Sequence, residues 1–463
     1  MAVTAESLAP WIETLLTAPS AEKSGLKLQD YLAAIPRLAS LHDVPSGTPV
    51  LVRGDVDAKP GAEIGDGDIR LRSMAATLEF GRKHGWKQII FGHIGRKPEG
   101  SLNKVAKRLG EIMKCEVQLI GDWYDDATNT VHDGVKKAID AAAPGSIIML
   151  ENTRKYAIER LLWEAGPDDV TKVAPTLAKY VNEISEKIAS VYVNEALSAG
   201  SMDASSTVAP AGMKRAVLGQ YTAGEFDGPM QKCLAADFVF FSGLKTDKLD
   251  DLRAVVDRGT VKWVFVAGNF VLALLKADAE LSGKQFCMGL AEKPENAKQP
   301  WYIAPERVAQ AKQLLQDGRA KGIKFVMPVD FTLADGSVVD AMTLEQQQFD
   351  VGPKTSEHFA AAITKYLDET KGKGVAFYNG VLGMFEDPKF ENGTKNFMQQ
   401  LKRLKDAGVE VYIGGGEGGA AMEKYGQPSW ITHCFTAGGT VLNALGSAPV
   451  PYLQALYMAA KKK

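Results

Sequence analysis

The chain has 463 residues, enough for two or three domains that each bury a hydrophobic core. Its 54 Lys and Arg residues nearly balance its 56 Asp and Glu residues, so there is neither the basic excess that binds nucleic acid nor an acidic tail. The four cysteines lie far apart without a C-x-x-C pair, which argues against a zinc site or a disulfide framework and favours a reducing compartment.

The N-terminal sequence predicts neither a secretion signal nor a mitochondrial transit peptide, because its first basic residue is Lys23 and acidic residues interrupt its apolar positions. The longest apolar run, residues 263–275, has 13 residues and contains a Gly-Asn pair. It fits a buried strand entering a helix better than a membrane span. We therefore expect a cytoplasmic protein with neither a membrane nor a nucleic acid as partner.

Residues 1–47 have helical apolar periodicity and end in a Pro-Ser-Gly turn, which predicts a helical N-terminal extension. From residue 49 onwards, strand patterns alternate with amphipathic helical patterns. This alternation predicts a parallel sheet covered by helices on both faces. The predicted strands are 50–53, 88–92, 116–120, 146–150 and 190–194, and the predicted helices include 71–83, 105–113 and 170–188.

A turn signal at residues 225–229 precedes a second run of the same alternation. Its predicted strands are 238–241, 263–267, 324–328, 374–378 and 410–413. The predicted fold class is therefore α/β, with two doubly wound parallel-sheet domains joined by a hinge. The predicted boundaries are 1–47 for the extension, 48–225 and 226–445 for the two domains, and 446–463 for a C-terminal tail that can return to the N-terminal domain.

The stretch 411–419, Val-Tyr-Ile-Gly-Gly-Gly-Glu-Gly-Gly, predicts a strand, a tight turn and a helix. Such a turn is typical of a phosphate-binding loop, in which Glu417 could hold a metal ion, but a cramped structural turn is an equal alternative. A dinucleotide fingerprint would require an acidic residue about 20 positions further on, and residues 431–445 contain none. A Walker-type G-x-x-x-x-G-K motif is also absent from the sequence.

Charged residues follow the predicted strands of the first domain, where parallel α/β sheets bind ligands. Alone, each of them is typical of a solvated loop or a helix cap. Together they predict an anion-binding cluster, because arginine forks match phosphate and carboxylate geometry. The basic members are Arg70, His93, Arg96 and Arg154, and Asp55 and Asp57 follow the first strand.

The corresponding loops of the second domain are glycine-rich and carry lysines and a few carboxylates, which suits a nucleotide polyphosphate with its metal. For residues 350–355, a turn that caps the next helix through Thr355 is the structural alternative. These loops are 243–248, 267–269, 350–355, 378–386 and 411–419.

In combination, the loops resemble those of the phosphoglycerate kinase family over roughly residues 49–445. The family patterns are V-R-x-D-x-N, S-H-L-G-R, L-E-N-x-R, G-A-K, D-x-G-P-x-T, W-N-G-P-x-G-x-F-E and G-G-G-D-T. This chain has VRGDVD, GHIGR, LENTR, GLK, DVGPKT, YNGVLGMFE and GGGEGG. The resemblance implies an N-terminal domain that binds phosphoglycerate and a C-terminal domain that binds Mg-ATP.

The resemblance also implies a role for each matching residue. Those implied to bind the acceptor are Asp55, Asp57, Arg70, His93, Arg96 and Arg154. Those implied to bind ATP or ADP are Gly243, Lys245, Lys248, Gly268, Gly352, Asn379, Glu386, Gly414, Gly415, Gly416 and Glu417. Arg70, Lys245 and Gly416 would be catalytic, and Glu417 would hold Mg²⁺.

The chain departs from the family pattern in both predicted sites. In the acceptor site, Ser201-Met202-Asp203-Ala204 stands where the family has His-Arg-Ala-His, and Asp57 replaces an asparagine; both changes weaken a site for a multiply charged anion. In the nucleotide site, Glu417 replaces Asp and Gly418 replaces Thr. Other changes are Val381 for Pro, Ala437 within a glycine run, and a spacing of three rather than four between Lys245 and Lys248.

The first hypothesis is therefore a monomeric cytoplasmic kinase that moves the γ-phosphoryl group of ATP reversibly to a carboxylate, with 3-phosphoglycerate as the acceptor, as in glycolysis or carbon fixation. A second hypothesis keeps this chemistry with a different carboxylate acceptor. A third is a nucleotide-binding paralogue with weakened catalysis and a regulatory or assembly role, exercised through residues 1–47.

Overall fold

The computed structural model describes residues 2–17, 24–58, 68–244, 246, 248–446 and 449–462. The chain divides into two compact units, Met1–Gly228 with Ala448–Lys463, and Pro229–Ser447. Each contains a six-stranded sheet whose strands are all parallel, with helices between consecutive strands. The predicted α/β class with two parallel-sheet domains is confirmed.

The first unit is built on a sheet with the strand order β3-β6-β2-β1-β7-β8. Its strands are β1 (Pro49–Arg53), β2 (Lys87–Phe91), β3 (Val117–Ile120), β6 (Ile147–Leu150), β7 (Val191–Asn194) and β8 (Arg215–Leu218), and a separate hairpin consists of β4 (Tyr124–Asp125) and β5 (Thr130–Val131). Most residues of the inner strands are buried and apolar because helices cover both faces of the sheet, whereas the edge strand β3 is only partly buried. Val50, Leu51 and Val52 of β1 are all at most 1% exposed.

The helices of the first unit are mostly amphipathic and bury one apolar face each. They are α1 (Ala5–Thr17), α2 (Leu28–Ala34), α3 (Ile69–Ser73), α4 (Ala75–Lys83), α5 (Asn103–Met113), α6 (Asp133–Ala141), α7 (Val170–Lys187), α8 (Ala204–Thr207) and α9 (Gln220–Asp227). The predicted helix 71–83 is therefore two helices, which meet at Met74.

The second unit has a sheet with the strand order β11-β10-β9-β15-β16-β17. These strands are β9 (Phe238–Gly243), β10 (Trp263–Gly268), β11 (Lys324–Val326), β15 (Val375–Asn379), β16 (Glu410–Gly414) and β17 (His433–Phe435). A small antiparallel sheet consists of β12 (Phe331–Leu333), β13 (Val338–Val339) and β14 (Gln348–Val351). The core is rich in aromatic residues: the ring centroid of Phe240 lies 4.8 Å from that of Tyr378 and 4.3 Å from that of Phe397.

The helices of the second unit follow the same alternation, and one further helix lies near the end of the chain. They are α10 (Pro229–Cys233), α11 (Lys248–Arg258), α12 (Val271–Leu281), α13 (Pro305–Ala320), α14 (Pro353–Thr370), α15 (Asn392–Asp406), α16 (Gly416–Tyr425), α17 (Gly438–Leu445) and α18 (Pro451–Lys461). Among the described residues, no helix is both long enough and apolar enough to cross a membrane.

The N-terminal and C-terminal helices both belong to the first unit. Helix α1 packs against α7 and α18. The indole nitrogen of Trp11 donates a hydrogen bond to the carbonyl of Thr207 in α8 at 2.8 Å, and Gln454 of α18 donates to the carbonyl of Thr14 at 3.1 Å. Residues 1–47, predicted as an extension, therefore contribute buried side chains such as Trp11 to the first unit.

Several strands of the structure are absent from the sequence-based prediction. They include the edge strands β8 and β17, which have four and three residues. The small sheet of β12, β13 and β14 is also not predicted, and β11 is shorter than the predicted 324–328 because it ends at Val326. Local periodicity is weakest for short strands, whose pairing depends on the rest of the sheet.

Candidate functional site

Charged side chains collect at the carboxyl edge of the first sheet. Strands β6, β2, β1 and β7 are neighbours and run parallel, so the residues that follow them share one edge. Arg53 ends β1, His93 follows β2, and Arg154 follows β6. The loop after β7 brings Asp203 to the same place, and all four side chains are at most 6% exposed.

Asp203 lies at the centre of this buried group, which we call the Asp203 network (Arg53, His93, Arg154, Trp163 and Asp203). Nη2 of Arg154 donates to both carboxylate oxygens of Asp203, at 3.0 and 3.2 Å, and Nη2 of Arg53 donates to Oδ2 at 3.4 Å. Nδ1 of His93 lies 3.2 Å from Oδ2. The indole N–H of Trp163 donates to Oδ1 at 2.9 Å, so Asp203 has polar contacts with all four neighbours.

Burial and neighbouring charges shift the pKa values of the side chains in and beside the network. Burial disfavours ionised Asp203, but its contacts with His93, Arg154 and Arg53 hold the pKa of its carboxyl well below the usual range. Burial holds the pKa of His93 below its usual value, although its contact with Asp203 acts in the other direction. Burial and the charge of Asp203 raise the pKa of Glu159, which accepts hydrogen bonds from the backbone and hydroxyl of Ser205. The hydroxyl of Ser205 in turn accepts a hydrogen bond from Nε of Arg53.

A second group of charges surrounds Arg70. Nη1 of Arg70 lies 3.0 Å from Oδ2 of Asp57, and Nε lies 3.7 Å from Oδ1 of the fully buried Asp55. Burial would raise the pKa of Asp57, but the charge of Arg70 and the N–H of Gly95 hold that pKa below its usual value. Among the described residues, Oδ2 of Asp55 has no hydrogen-bond partner. This leaves a buried carboxylate oxygen beside the Arg70 guanidinium.

Gly95 connects the two groups. Its N–H donates to Oδ1 of Asp57 at 2.9 Å, and its carbonyl accepts from Nη1 of Arg154 at 2.7 Å. The structure therefore brings together the predicted acceptor-site residues Asp55, Asp57, Arg70, His93 and Arg154. Arg96 follows Gly95 directly; it is exposed, and within the described part of the chain it has neither a hydrogen bond nor an ion pair of its side chain.

Glycines and an amide mark the carboxyl edge of the second sheet. Gly243 pairs with Gly268, and Asn379 pairs with Gly414, at the ends of four adjacent strands. Nδ2 of Asn379 donates to the carbonyl of Gly414 at 2.8 Å. Nζ of Lys248 donates to Oδ1 of Asn379 at 2.8 Å, which directs this lysine to the same edge.

Helix α16 begins at this edge and exposes its first turn. Gly415 precedes the helix with φ of 95°, a conformation that side chains other than glycine rarely adopt. A Cβ on Gly438 would lie 2.6 Å from Nδ2 of Asn379 and 2.8 Å from Cα of Gly415, so only glycine fits there. Gly416 and Glu417 are both exposed in the first turn, where backbone N–H groups favour an anion.

The donor set is suited to a metal that arrives with a nucleotide. The described residues contain no group of three or more His, Cys, Asp or Glu side chains that could hold a metal ion. Mg²⁺ commonly binds through one or two carboxylates together with substrate phosphates. Glu417, an exposed carboxylate in the first turn of α16, fits that requirement.

The remaining predicted nucleotide-site residues have different surroundings. The carboxylate of Asp330 accepts hydrogen bonds from the backbone N–H groups of Lys354 and Thr355, at 3.0 and 2.8 Å, and so caps helix α14. A Cβ on Gly352 would lie 2.2 Å from Asp330. The alternative that Thr355 supplies the cap is therefore wrong, because Thr355 lies within α14 and its hydroxyl accepts from the N–H groups of Val329 and Asp330, outside that helix, while donating to Asp330. Glu386 is exposed in the loop after β15. Lys245 lies outside the described residues.

The sequence prediction misses Arg53, Glu159 and Trp163, which complete the surroundings of Asp203 or of Arg53. An arginine that ends an otherwise apolar strand is the available signal for Arg53, because a charge there is buried and needs a partner. Glu159 and Trp163 follow strand β6 in a stretch of short 3₁₀ turns that has no helical or strand periodicity, so no comparable signal marks them in the sequence.

Comparison with known proteins agrees with the resemblance in the loops. A family model described as phosphoglycerate kinase matches residues 41–447. The cytosolic phosphoglycerate kinase 3 of Arabidopsis thaliana is 27% identical over 428 residues, which are 89% of this chain and 95% of that protein. A probable phosphoglycerate kinase of Caenorhabditis elegans is 28% identical over 439 residues, 89% of this chain and 96% of that protein.

Solved structures give the same fold. The crystal structure of phosphoglycerate kinase from Pyrococcus horikoshii OT3 matches with a TM-score of 0.70 at 22% identity, over 93% of this chain and 100% of that chain. The phosphoglycerate kinase structure from Coxiella burnetii matches with a TM-score of 0.63 at 22% identity, over 92% of this chain and 100% of that one. With the match of the family model to most of its length, the chain belongs to the phosphoglycerate kinase family.

Proposed function

We propose that this chain is an ATP-dependent phosphotransferase that moves the γ-phosphoryl group reversibly between ATP and a carboxylate acceptor. Family membership implies a kinase. The observation that carries the proposal is the start of helix α16, where Gly415 lies close to Asn379 and Gly438 and where Gly416 and Glu417 are exposed in the first turn. That arrangement is suited to the phosphates of a nucleotide.

The proposed reaction needs no side chain to act as a general base. A carboxylate acceptor is already ionised at neutral pH, so it needs no general base, and catalysis consists of positioning and charge stabilisation. Arg70, held by Asp55 and Asp57, is our candidate for the group that stabilises the transferring phosphoryl. Lys245 and the N–H of Gly416 are proposed to act on the same group, with Lys248, Gly243 and Gly268 at the nucleotide.

The metal in this proposal is Mg²⁺ bound with ATP or ADP, where it supplies charge neutralisation of the phosphate oxygens. Glu417 would hold it, and Glu386 is proposed to contact the nucleotide ribose. The chain is further proposed to be cytoplasmic and monomeric, with residues 48–225 binding the acceptor and residues 226–445 binding the nucleotide. Its partners would be small molecules.

Two kinds of carboxylate are candidates for the acceptor. The family resemblance makes 3-phosphoglycerate the first acceptor to test, with His93, Arg96 and Arg154 as proposed ligands of its phosphate. One observation favours a second candidate: Arg154 already contacts both carboxylate oxygens of Asp203. A different carboxylate acceptor, without a group that must compete with Asp203, is therefore the alternative.

A coupled assay tests the proposal. Purified protein is mixed with Mg-ATP and 3-phosphoglycerate, and the acyl phosphate is followed through a reductase that consumes it. Turnover on the order of 1 to 100 per second would establish the activity with this acceptor. A panel of other carboxylates, followed by ADP release, tests the alternative. If no acceptor gives turnover while ADP still raises the melting temperature, the phosphotransferase proposal is wrong and a nucleotide-binding role replaces it.

A further inference from the structure

We propose that Asp203 is a resident anion in the acceptor site, which excludes acceptors that carry a phosphate group and leaves the site to phosphate-free carboxylates. This inference rests on the proposed function, because it concerns the acceptor of that reaction. It assigns to Asp203 the place that a substrate anion would otherwise take between the guanidiniums of Arg53 and Arg154 and the His93 ring.

The first support is the completeness of the surroundings of Asp203. Its side chain is 0% exposed, and each oxygen is bound: Oδ1 accepts from Arg154 and Trp163, and Oδ2 accepts from Arg154 and Arg53. Charge-assisted hydrogen bonds of this kind are what an arginine site offers to a bound phosphate or carboxylate. In this chain the protein supplies the anion itself.

The second support is the charge balance. The guanidiniums of Arg53 and Arg154 both form ion pairs with Asp203. Arg53 also donates to the hydroxyl of Ser205, which in turn donates to a second carboxyl, that of Glu159. Burial lowers the pKa of His93, which disfavours a third positive charge at this place. A phosphate entering here would meet a carboxylate at short range in a buried site, where repulsion between like charges is strong.

The third support is that Asp203 cannot readily leave its position. Its own carbonyl accepts hydrogen bonds from the backbone N–H groups of Ser206 and Thr207, at 3.0 Å each, so the residue is fixed to the start of helix α8. The Trp163 indole, which donates to Oδ1 of Asp203, lies with its ring centroid 4.8 Å from the Arg154 guanidinium. The hydroxyl of Ser201 also accepts a hydrogen bond from Nη2 of Arg154, at 2.9 Å, so this guanidinium has a further partner within the protein.

Two arginines outside this network keep side chains that are at least partly exposed. Arg70 is 20% exposed in its side chain, and Arg96 is exposed with no side-chain hydrogen bond or ion pair to any described residue. A carboxylate bound by these two arginines would leave Asp203 in place. The acceptor class that fits is therefore a small carboxylate, such as a hydroxy acid or an amino acid, that carries no phosphate.

The first experiment uses the full-length protein and the probe inorganic phosphate. Asp203→Ala removes the resident anion and leaves two buried guanidiniums without it, which is destabilising. We expect inorganic phosphate at millimolar concentrations to raise the melting temperature of Asp203→Ala and to bind it at least about tenfold more tightly than wild type. Asp203→Asn, which has nearly the same shape, replaces Asp203→Ala if the latter does not fold.

Glu159→Gln is the matched control when the titrations are run at about pH 8, above the Glu159 pKa of about 7, because it then removes a negative charge from the same buried region and keeps Asp203 in place. If phosphate stabilised Glu159→Gln as much as Asp203→Ala, net charge would explain the effect and the proposal would be overturned. Equal phosphate binding by wild type and Asp203→Ala would also overturn it.

The second experiment compares glycerate with 3-phosphoglycerate, which differ only by the phosphate group, as acceptors for the wild-type protein. We expect kcat/KM for glycerate to exceed that for 3-phosphoglycerate by at least about tenfold, and Asp203→Ala to reduce or reverse this ratio. A wild-type preference for 3-phosphoglycerate would overturn the inference and leave the proposed function intact. If neither compound is phosphorylated, the proposed function loses support, and the phosphate titration alone decides whether Asp203 is a resident anion.

Discussion

The two parallel sheets present very different carboxyl edges. In the first unit the edge consists of buried charges, and Arg53, Arg70 and Arg154 are each paired with a carboxylate of the protein. In the second unit the edge consists of glycines and the amide of Asn379, with backbone N–H groups exposed at the start of α16. The same fold class thus carries one edge of buried ion pairs and one edge of glycines and an amide, beside which lie Lys248 and the exposed Glu417.

The difference follows from how each edge can be kept stable without a ligand. Backbone N–H groups at a helix start remain exposed to water and need no counter-charge. Buried guanidiniums must have an anion, because an unpaired buried charge costs several kcal/mol. In the first unit Asp203 and Asp55 provide that anion. A ligand of the first edge therefore has to compete with the protein's own carboxylates, whereas a ligand of the second edge does not.

The largest expected effect comes from removing a charge from the first edge. Arg70→Ala should lower kcat by about 10²–10³, with the best acceptor found, because a positioned donor to a developing charge is typically worth that much. The dissociation constant for ADP should change by less than about twofold. Kinetics and calorimetry measure the two quantities. Arg72→Ala, two residues further along α3, is the control and should leave both unchanged. Equal losses of turnover and ADP affinity would contradict the role assigned to Arg70.

The next prediction concerns a buried carboxyl of the second unit that forms no ion pair with any residue that the structure describes. Burial raises the pKa of Asp350 to about 7, although its carboxylate accepts hydrogen bonds from Val351 and Gly393. Since this folded-state pKa lies above the unfolded one, its stabilising effect is complete below about pH 4 and is lost as the pH rises to about 7. Relative to Asp350→Asn, wild type should therefore lose on the order of 3 kcal/mol of unfolding free energy across that range.

Chemical denaturation at several pH values checks this prediction. Asp335→Asn is the control, because Asp335 is exposed and the hydroxyl of Ser337 lowers its pKa. The stabilising effect of Asp335 is lost as the pH falls, so its pH dependence has the opposite sign to that of Asp350. If the difference between wild type and Asp350→Asn does not change between pH 4 and 7, the charge of Asp350 is compensated in a way that the described contacts do not explain.

The third prediction tests the backbone packing of the second edge. Gly438→Ala would place a methyl group 2.6 Å from Nδ2 of Asn379, so Gly415 or Asn379 must shift. Strain of about 1–3 kcal/mol follows from such overpacking, and ADP affinity should fall by about tenfold or more. Gly439→Ala is a matched control with nothing within 4 Å of the added Cβ, and it should retain wild-type affinity. Similar affinities of the two variants would show that this close approach does not shape the nucleotide site.

The smallest expected effect concerns the metal. Glu417→Gln should weaken Mg-ADP binding by about tenfold and leave binding of metal-free ADP unchanged, because the amide is a poorer Mg²⁺ ligand than the carboxylate. Titrations with magnesium and with EDTA distinguish the two. The control is Glu423→Gln, on the exposed last turns of the same helix. A loss of affinity that is the same with and without magnesium would assign Glu417 to the nucleotide rather than to the metal.

Much of the candidate site is predictable because its residues directly follow predicted strands. Parallel strands place their carboxyl ends at one edge, so the sequence alone predicts that His93, Arg154 and Asp55 meet there. For Asp203 it predicts only a weakened anion site, and it predicts no role for Arg53. Both are buried polar residues whose partners are distant in the chain: Asp203 is 150 positions from Arg53 and 49 from Arg154.

The sequence by itself determined the α/β class, the two parallel sheets and the family, because apolar periodicity and loop motifs are local properties of the chain. Only the tertiary structure decided what the substitution at Asp203 does. A carboxylate in a loop can repel a substrate anion from a distance or replace it within the site, and the sequence is the same in both cases. The choice depends on whether long-range packing buries the carboxylate against the guanidiniums, since charges in a buried site interact far more strongly than charges in water.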